Sequence, residues 1–140
     1  GTAVFGLNDE SAGTRNLLFL TGPVLDILDQ GTTLIVDELD NSMHPLLVRR
    51  LVEMFHNQAL NAKGAQLIFS THDTSLLDND LSRRDQVWFV EKSADQASSL
   101  YPLSDFSPRK NEALGRGYLI GRYGALPFLA DWREVKNGSR

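Results

Sequence analysis

Two short runs of β-branched and aliphatic residues, Thr32-Thr33-Leu34-Ile35-Val36 and Ala65-Gln66-Leu67-Ile68-Phe69, each break off in a cluster of polar side chains, with one amphipathic segment between them. Runs of this length and composition read as strands buried on both faces. Two such strands joined through a single helix make a βαβ unit, which is parallel and right-handed. Parallel strands present their carboxyl ends at one edge of the sheet, where open α/β sheets bind their ligands. The cluster after the first strand holds Asp37, Glu38 and Asp40, and that after the second holds Ser70-Thr71-His72-Asp73. The topology therefore brings carboxylates and an imidazole together.

The flanking segments extend this α/β reading. Residues from about Ser11 to Gln30 carry Leu17, Leu18, Leu20, Val24, Leu25 and Leu28 at helical spacing, with Glu10 and Ser11 as capping candidates and Gly31 as a stop. Gly22-Pro23 is expected to kink or divide that helix. A second helix opens near Pro45, where a missing N–H costs nothing, with Leu47, Leu51, Met54 and Phe55 as its buried stripe and Lys63-Gly64 as its end. Val87 to Val90 and a segment near Ser99 to Leu103 read as third and fourth strands extending the sheet. Beyond Ser104 the chain is richer in Gly, Arg and aromatics, and a short helix is expected around Tyr118 to Leu129.

Composition narrows the function classes. A chain of 140 residues with 41% hydrophobic and 23% charged residues holds one domain at most and can bury a core. No apolar run is long enough to cross a bilayer, and the start GTAVFGLNDE lacks the basic and apolar regions of a signal peptide, so a soluble, cytoplasmic protein without membrane contact is expected. The absence of cysteine excludes disulfides and thiolate metal sites. A formal net charge of −4 argues against a broad footprint for duplex DNA. Arg83, Arg84, Arg109, Lys110, Arg116 and Arg122 are the residues available to touch nucleic acid, and scattered as they are they fit a solvated surface as well.

Each site candidate carries two readings. Asp37 and Glu38 end a buried strand; in a nucleotide hydrolase the first holds Mg²⁺ through water and the second orients and deprotonates the attacking water, while a bare pair is a solvated strand end. His72 at the neighbouring strand end is placed to hydrogen-bond a γ-phosphate oxygen or that water; alone it would be structural. His44 either caps the helix that Pro45 opens or takes part in the site, and His56 is given no function. Ser11, Gly13 and Thr14 at a helix start suit an anion, and suit an ordinary N-cap equally well.

The ordered set Ser-Ala-Gly-Thr, helix, Leu-Ile-Val-Asp-Glu, Leu-Asp-Asn-Ser-Met-His-Pro, helix, Ile-Phe-Ser-Thr-His-Asp resembles the second half of an ABC-type ATPase. The closer likeness is to the RecF-like and SMC-like branch, above all to AAA-family ATPases of bacterial phage-defence and abortive-infection systems. It runs through nearly the whole chain, including Arg122-Tyr123-Gly124-Ala125-Leu126-Pro127-Phe128. The resemblance implies a P-loop NTPase-like head with a mainly parallel sheet flanked by helices. It makes Ser11, Gly13 and Thr14 the signature motif that contacts the γ-phosphate of ATP held by a second copy, Asp37 and Glu38 the Walker B pair, His72 the switch histidine, and Asp40 to Pro45 the D-loop at a dimer interface. Ala12 departs from the usual first glycine of the signature; His44 stands where many ABC proteins have aspartate, and a His-Pro there is typical of the resembled branch.

The motif G-x-x-x-x-G-K-[ST] occurs nowhere in the chain. The expectation is therefore a single incomplete ATPase domain over residues 1–140, a C-terminal piece whose Walker A segment lies upstream in the parent protein. ATP and Mg²⁺ are the implied cofactors, and a second copy of the domain and a nuclease or toxin effector the implied partners. The leading function is an ATP-hydrolysing head whose dimerisation controls a partner, with phage defence inferred from resemblance alone. The alternative is a non-catalytic scaffold or interaction module derived from an ATPase. A nuclease using Asp37, Glu38, Asp40 and Asp73 with divalent metal explains the same residues with more assumptions.

Overall fold

Ser11 starts the first helix for a local reason. Its Oγ accepts the backbone N–H of Thr14 at 3.1 Å and shares a 2.8 Å hydrogen bond with the Thr14 hydroxyl, so a first-turn N–H with no intrahelical acceptor is satisfied. In the computed structural model, which describes residues 6, 10–93, 95–109 and 112–126, this helix (α1) spans Ala12–Gln30. It ends where Gly31 takes a left-handed φ of 71° and donates to Ile27 O. A Cβ at position 31 would also meet Lys63 O at 2.6 Å, so glycine is required there twice over. The expected division at Gly22-Pro23 is absent: α1 runs through Pro23, which is exposed, so the carbonyl deprived of a donor can bond water.

The chain divides into two compact units, Gly1–Leu76 and Leu77–Arg140. In the first, β1 (Thr33–Val36) and β2 (Gln66–Phe69) pair in parallel, with Thr33 opposite Gln66 and Val36 opposite Phe69, and α2 (Pro45–His56) lies between them in sequence. This is the βαβ pairing that the apolar runs imply. Burial differs from the expectation. Both strands alternate rather than bury two faces, and Ile35 and Ile68 are 74% and 55% exposed. The helices cover one side of the pair only: Val24 and Leu28 of α1 and Val48, Leu51 and Val52 of α2 are buried. The buried stripe of α2 is thus rotated from the expected one, since Leu47 is 38% exposed and Val48 is fully covered.

α2 also ends earlier than Lys63-Gly64. Asn57 caps it, and the Asn57 carboxamide then accepts from Ala59 N at 2.9 Å, starting a turn. Asn61 stabilises the remainder of the connection, donating to Phe55 O and Ala65 O and accepting from Ala65 N. Side-chain amides of this kind compete with helical hydrogen bonding, which is why the helix stops.

In the second unit β3 (Trp88–Lys92) and β4 (Ser98–Pro102) form an antiparallel ribbon. The sequence expectation that they extend the first sheet is not met: among the described residues there are two sheets of two strands each. The short connection explains this, because residues 93–97 are enough for a hairpin and far too few for a parallel crossover. Phe89, Leu103, Leu114 and Tyr123 make the core, with the Phe89 ring stacked on Tyr118 at 5.6 Å and on Tyr123 at 5.8 Å. α3 spans Leu114–Leu119 rather than starting at Tyr118, and a turn with Gly121 and Gly124 at positive φ follows it. Residues 127–129 of the expected helix, and Pro127 and Phe128 of the closing motif, lie outside the described residues. No helix among the described residues is long and apolar enough to cross a membrane.

Candidate functional site

The parallel register places Asp37 beside Ser70, one step beyond the last strand pair, and Ser70 ties the two strand ends together. Its N–H donates to Val36 O at 3.1 Å and its carbonyl accepts from Leu39 N at 3.0 Å. Its Oγ accepts from Glu38 N at 2.8 Å and donates to Asp37 Oδ1 at 2.5 Å. The direction of the last bond follows from chemistry: the Glu38 amide can only donate, so the single hydroxyl proton is directed to the carboxylate.

Glu38 occupies the left-handed region, with φ of 50°. For a side chain of this type that conformation costs about 1–2 kcal/mol and is held by its surroundings. Its carboxylate lies 3.6 Å from His72 Nε2, an ion pair when the imidazole is protonated, and both side chains are open to solvent, 53% and 83% exposed. Asp40 closes the group from the other side by accepting from His72 N at 3.3 Å. Partial burial alone would raise the Asp40 carboxyl, but hydrogen bonds from the Thr71 hydroxyl and from backbone N–H groups, together with the nearby imidazole, hold it below its ordinary value. Asp37, Glu38 and His72, expected to meet from the topology, are thus brought together.

The start of α1 reaches the same loop. A Cβ at Gly13 would lie 2.5 Å from Ser42 O, and Asn16 Nδ2 donates to Asn41 O at 3.0 Å. Gly13 is therefore demanded by close approach of the 37–44 loop, which turns back at Ser42 with φ of 59°. Ser11 and Thr14 are engaged with each other as an N-cap. His44 is the N-cap of α2, its Nδ1 accepting from Leu46 N at 3.2 Å, which accounts for the His-Pro pair by helix initiation. His56 sits exposed at the last turn of α2.

The donor set suits a hard cation shared with a ligand. Asp37 and Glu38 offer oxygen donors at an open strand end, the chemistry Mg²⁺ selects. No group of three or more His, Asp or Glu among the described residues forms a metal cage by itself. Mg²⁺ is held characteristically by one or two carboxylates together with water and phosphate oxygens, and the site fits that arrangement. Spacing alone did not single out Ser70 or Asn16. The signal for Ser70 was the register: it follows its strand by the same interval at which Asp37 follows the other. Nothing local marks Asn16, whose partner Asn41 is distant in sequence.

A model of the family described as "AAA domain, putative AbiEii toxin, Type IV TA system" matches residues 2–78. The match ends close to the boundary of the first unit at Leu76, so all of the site lies within it. No curated protein and no solved structure matches the chain.

Proposed function

Because the chain belongs to this AAA-domain family, an ATPase-like nucleotide-binding module, we propose that it is the catalytic-carboxylate part of an ATP-hydrolysing head domain. The observation that supports this reading is the convergence of Asp37, Glu38 and His72 at paired strand ends, with Glu38 Oε1 and His72 Nε2 3.6 Å apart. In this reading bound Mg²⁺ offsets the negative charge on the phosphates of ATP. Asp37 holds that ion through water. Glu38 orients the attacking water and accepts its proton, and its exposure leaves the carboxylate accessible to a bound nucleotide. His72, beside Glu38, donates a hydrogen bond to the γ-phosphate. The phosphate loop and its lysine come from a preceding segment of the parent protein.

The start of α1 serves a second copy of the domain. Ser11, Gly13 and Thr14 face the γ-phosphate held by that copy, with the first-turn N–H groups of Ala12 and Gly13, which the Ser11 cap does not use, as donors. Contact of Gly13 and Asn16 with the 41–42 backbone links this surface to the loop that carries Glu38. Closure and opening of the dimer then control an effector such as a nuclease or toxin, in phage defence.

The test is Glu38→Gln in the protein carrying its phosphate loop. Turnover of Mg-ATP should fall by about 10²–10⁴-fold, the usual contribution of a positioned base, while nucleotide binding persists and an ATP-bound dimer accumulates. Unchanged turnover overturns the assignment of Glu38. Absence of turnover in the unmutated protein, with dimerisation independent of nucleotide, would make the domain a scaffold.

A further inference from the structure

Glu38 and Asp37 are adjacent in sequence, yet the two must hold different tasks at fixed separation on a loop that is solvent-exposed and contains a left-handed non-glycine residue. Within the loop Asn41 N donates to Glu38 O at 2.9 Å, Met43 N donates to Asp40 O at 3.1 Å and the Leu39 side chain is buried, while the tie between Asp37, Glu38 and the neighbouring strand end is made by Ser70. Every polar group of Ser70 is committed to the stretch from Val36 to Leu39: its N–H to Val36 O, its carbonyl to Leu39 N, its Oγ to both Asp37 Oδ1 and Glu38 N. The hydroxyl is the only one of these that a substitution can remove without disturbing the backbone, and it joins the cation-binding carboxylate to the peptide that carries the general base.

We propose that Ser70 is a positioning residue: its hydroxyl orients the Asp37 carboxylate toward the cation and at the same time fixes the left-handed turn that presents Glu38. The assignment rests on the ATPase reading given above. One oxygen performs both tasks, as acceptor for Glu38 N and donor to Asp37 Oδ1, so the two carboxylates are set in one geometry. Ser70 is exposed and contributes no core contact, so removal of its hydroxyl leaves the packing of β1, β2 and the helices intact. Asp40, Thr71 and His72 form a separate set of contacts and do not replace the bridge.

The experiment compares Ser70→Ala and Ser70→Thr in the protein carrying its phosphate loop, measuring Mg-ATP turnover as a function of Mg²⁺ concentration and hydrogen exchange at the Glu38 amide. In Ser70→Ala the Mg²⁺ concentration for half-maximal turnover should rise by about 10–100-fold, the range for loss of a hydrogen bond that orients a metal-holding group, and the Glu38 amide, without a hydrogen bond worth about 1 kcal/mol, should exchange about 2–10-fold faster. Ser70→Thr, which keeps the hydroxyl, should restore both to within about threefold of the unmutated protein. Unchanged Mg²⁺ dependence in Ser70→Ala, or equal impairment in both variants, overturns the proposal. If Glu38→Gln is as active as the unmutated protein, the ATPase reading fails instead. The amide then decides: unchanged exchange in Ser70→Ala shows that the hydroxyl does not hold the turn.

Discussion

Each unit contains a carboxylate that takes a 2.5 Å hydrogen bond from a hydroxyl: Asp37 from Ser70 in the first, Glu112 from Tyr123 in the second. Their surroundings are opposite. Asp37 and Ser70 are exposed at the end of a parallel strand pair whose outer face, Ile35 and Ile68, is uncovered. Tyr123 is fully buried under Phe89 and Phe106, and Glu112 has its side chain 13% exposed, with Arg122 Nη1 at 2.6 Å and Arg109 N at 3.1 Å as further partners. A buried phenol cannot reach water, so its bond to Glu112 is a condition of packing. An exposed serine has water as an alternative, so its bond to Asp37 selects a geometry. The same contact is structural in one unit and positional in the other.

The buried pair gives the strongest test. Tyr123→Ala removes an aromatic ring from the centre of the second core and should destabilise that unit by about 3–5 kcal/mol, read from denaturant unfolding. Next comes Gly117→Ala. An added Cβ would lie 2.8 Å from the Tyr123 hydroxyl and 2.9 Å from its ring, so an overpacking cost of about 1–3 kcal/mol is expected by the same measurement. Tyr123→Phe and Ser70→Ala set the two hydroxyls side by side. Loss of the buried hydroxyl should cost about 1–2 kcal/mol, whereas loss of the exposed one should cost under about 1 kcal/mol. Equal costs would erase the distinction between the two pairs.

A separate effect is one of pH. Burial, and then the bond to Glu112 and its charge, push the Tyr123 hydroxyl from 10.0 up to about 12. An acid whose folded value is raised favours its neutral form in the native state, so the stability is complete below pH 10.0 and is lost as pH rises through about 12. Glu112 moves the other way. The Tyr123 hydroxyl lowers it most; burial opposes, and Arg109 and Arg122 add to the lowering. Its contribution is present above the ordinary value of 4.5 and is lost as pH falls below it. Unfolding curves of Tyr123→Phe should lack the alkaline loss and show a weaker acid one. Ser70→Ala leaves Tyr123 and Glu112 in place, so both limbs should persist in it.

Much of the first unit was legible in the chain itself. Ser11 and Gly31 bounded α1 because caps are local chemistry, and the two apolar runs gave the parallel pair and, through it, the meeting of Asp37, Glu38 and His72. Burial was harder. Whether Ile35 and Ile68 are covered depends on what packs against the sheet, which periodicity within a strand of four residues does not reveal. The phase of α2 is ambiguous in the sequence because Leu47 and Val48 are both apolar and fall on adjacent faces. In the second unit the pairing of β3 with β4 is set by the shortness of the connection, and Glu112 with Tyr123 is a contact between residues in turns that carry no periodic pattern.

The left-handed turn at Glu38 leaves a mark on what selection can do at that position. Asparagine tolerates such a turn better than glutamate, so Glu38→Asn would relieve part of the backbone cost while deleting the proposed base. Stability and chemistry therefore ask for different side chains at one site. If the proposed hydrolysis were not required, the backbone alone would favour asparagine at this position.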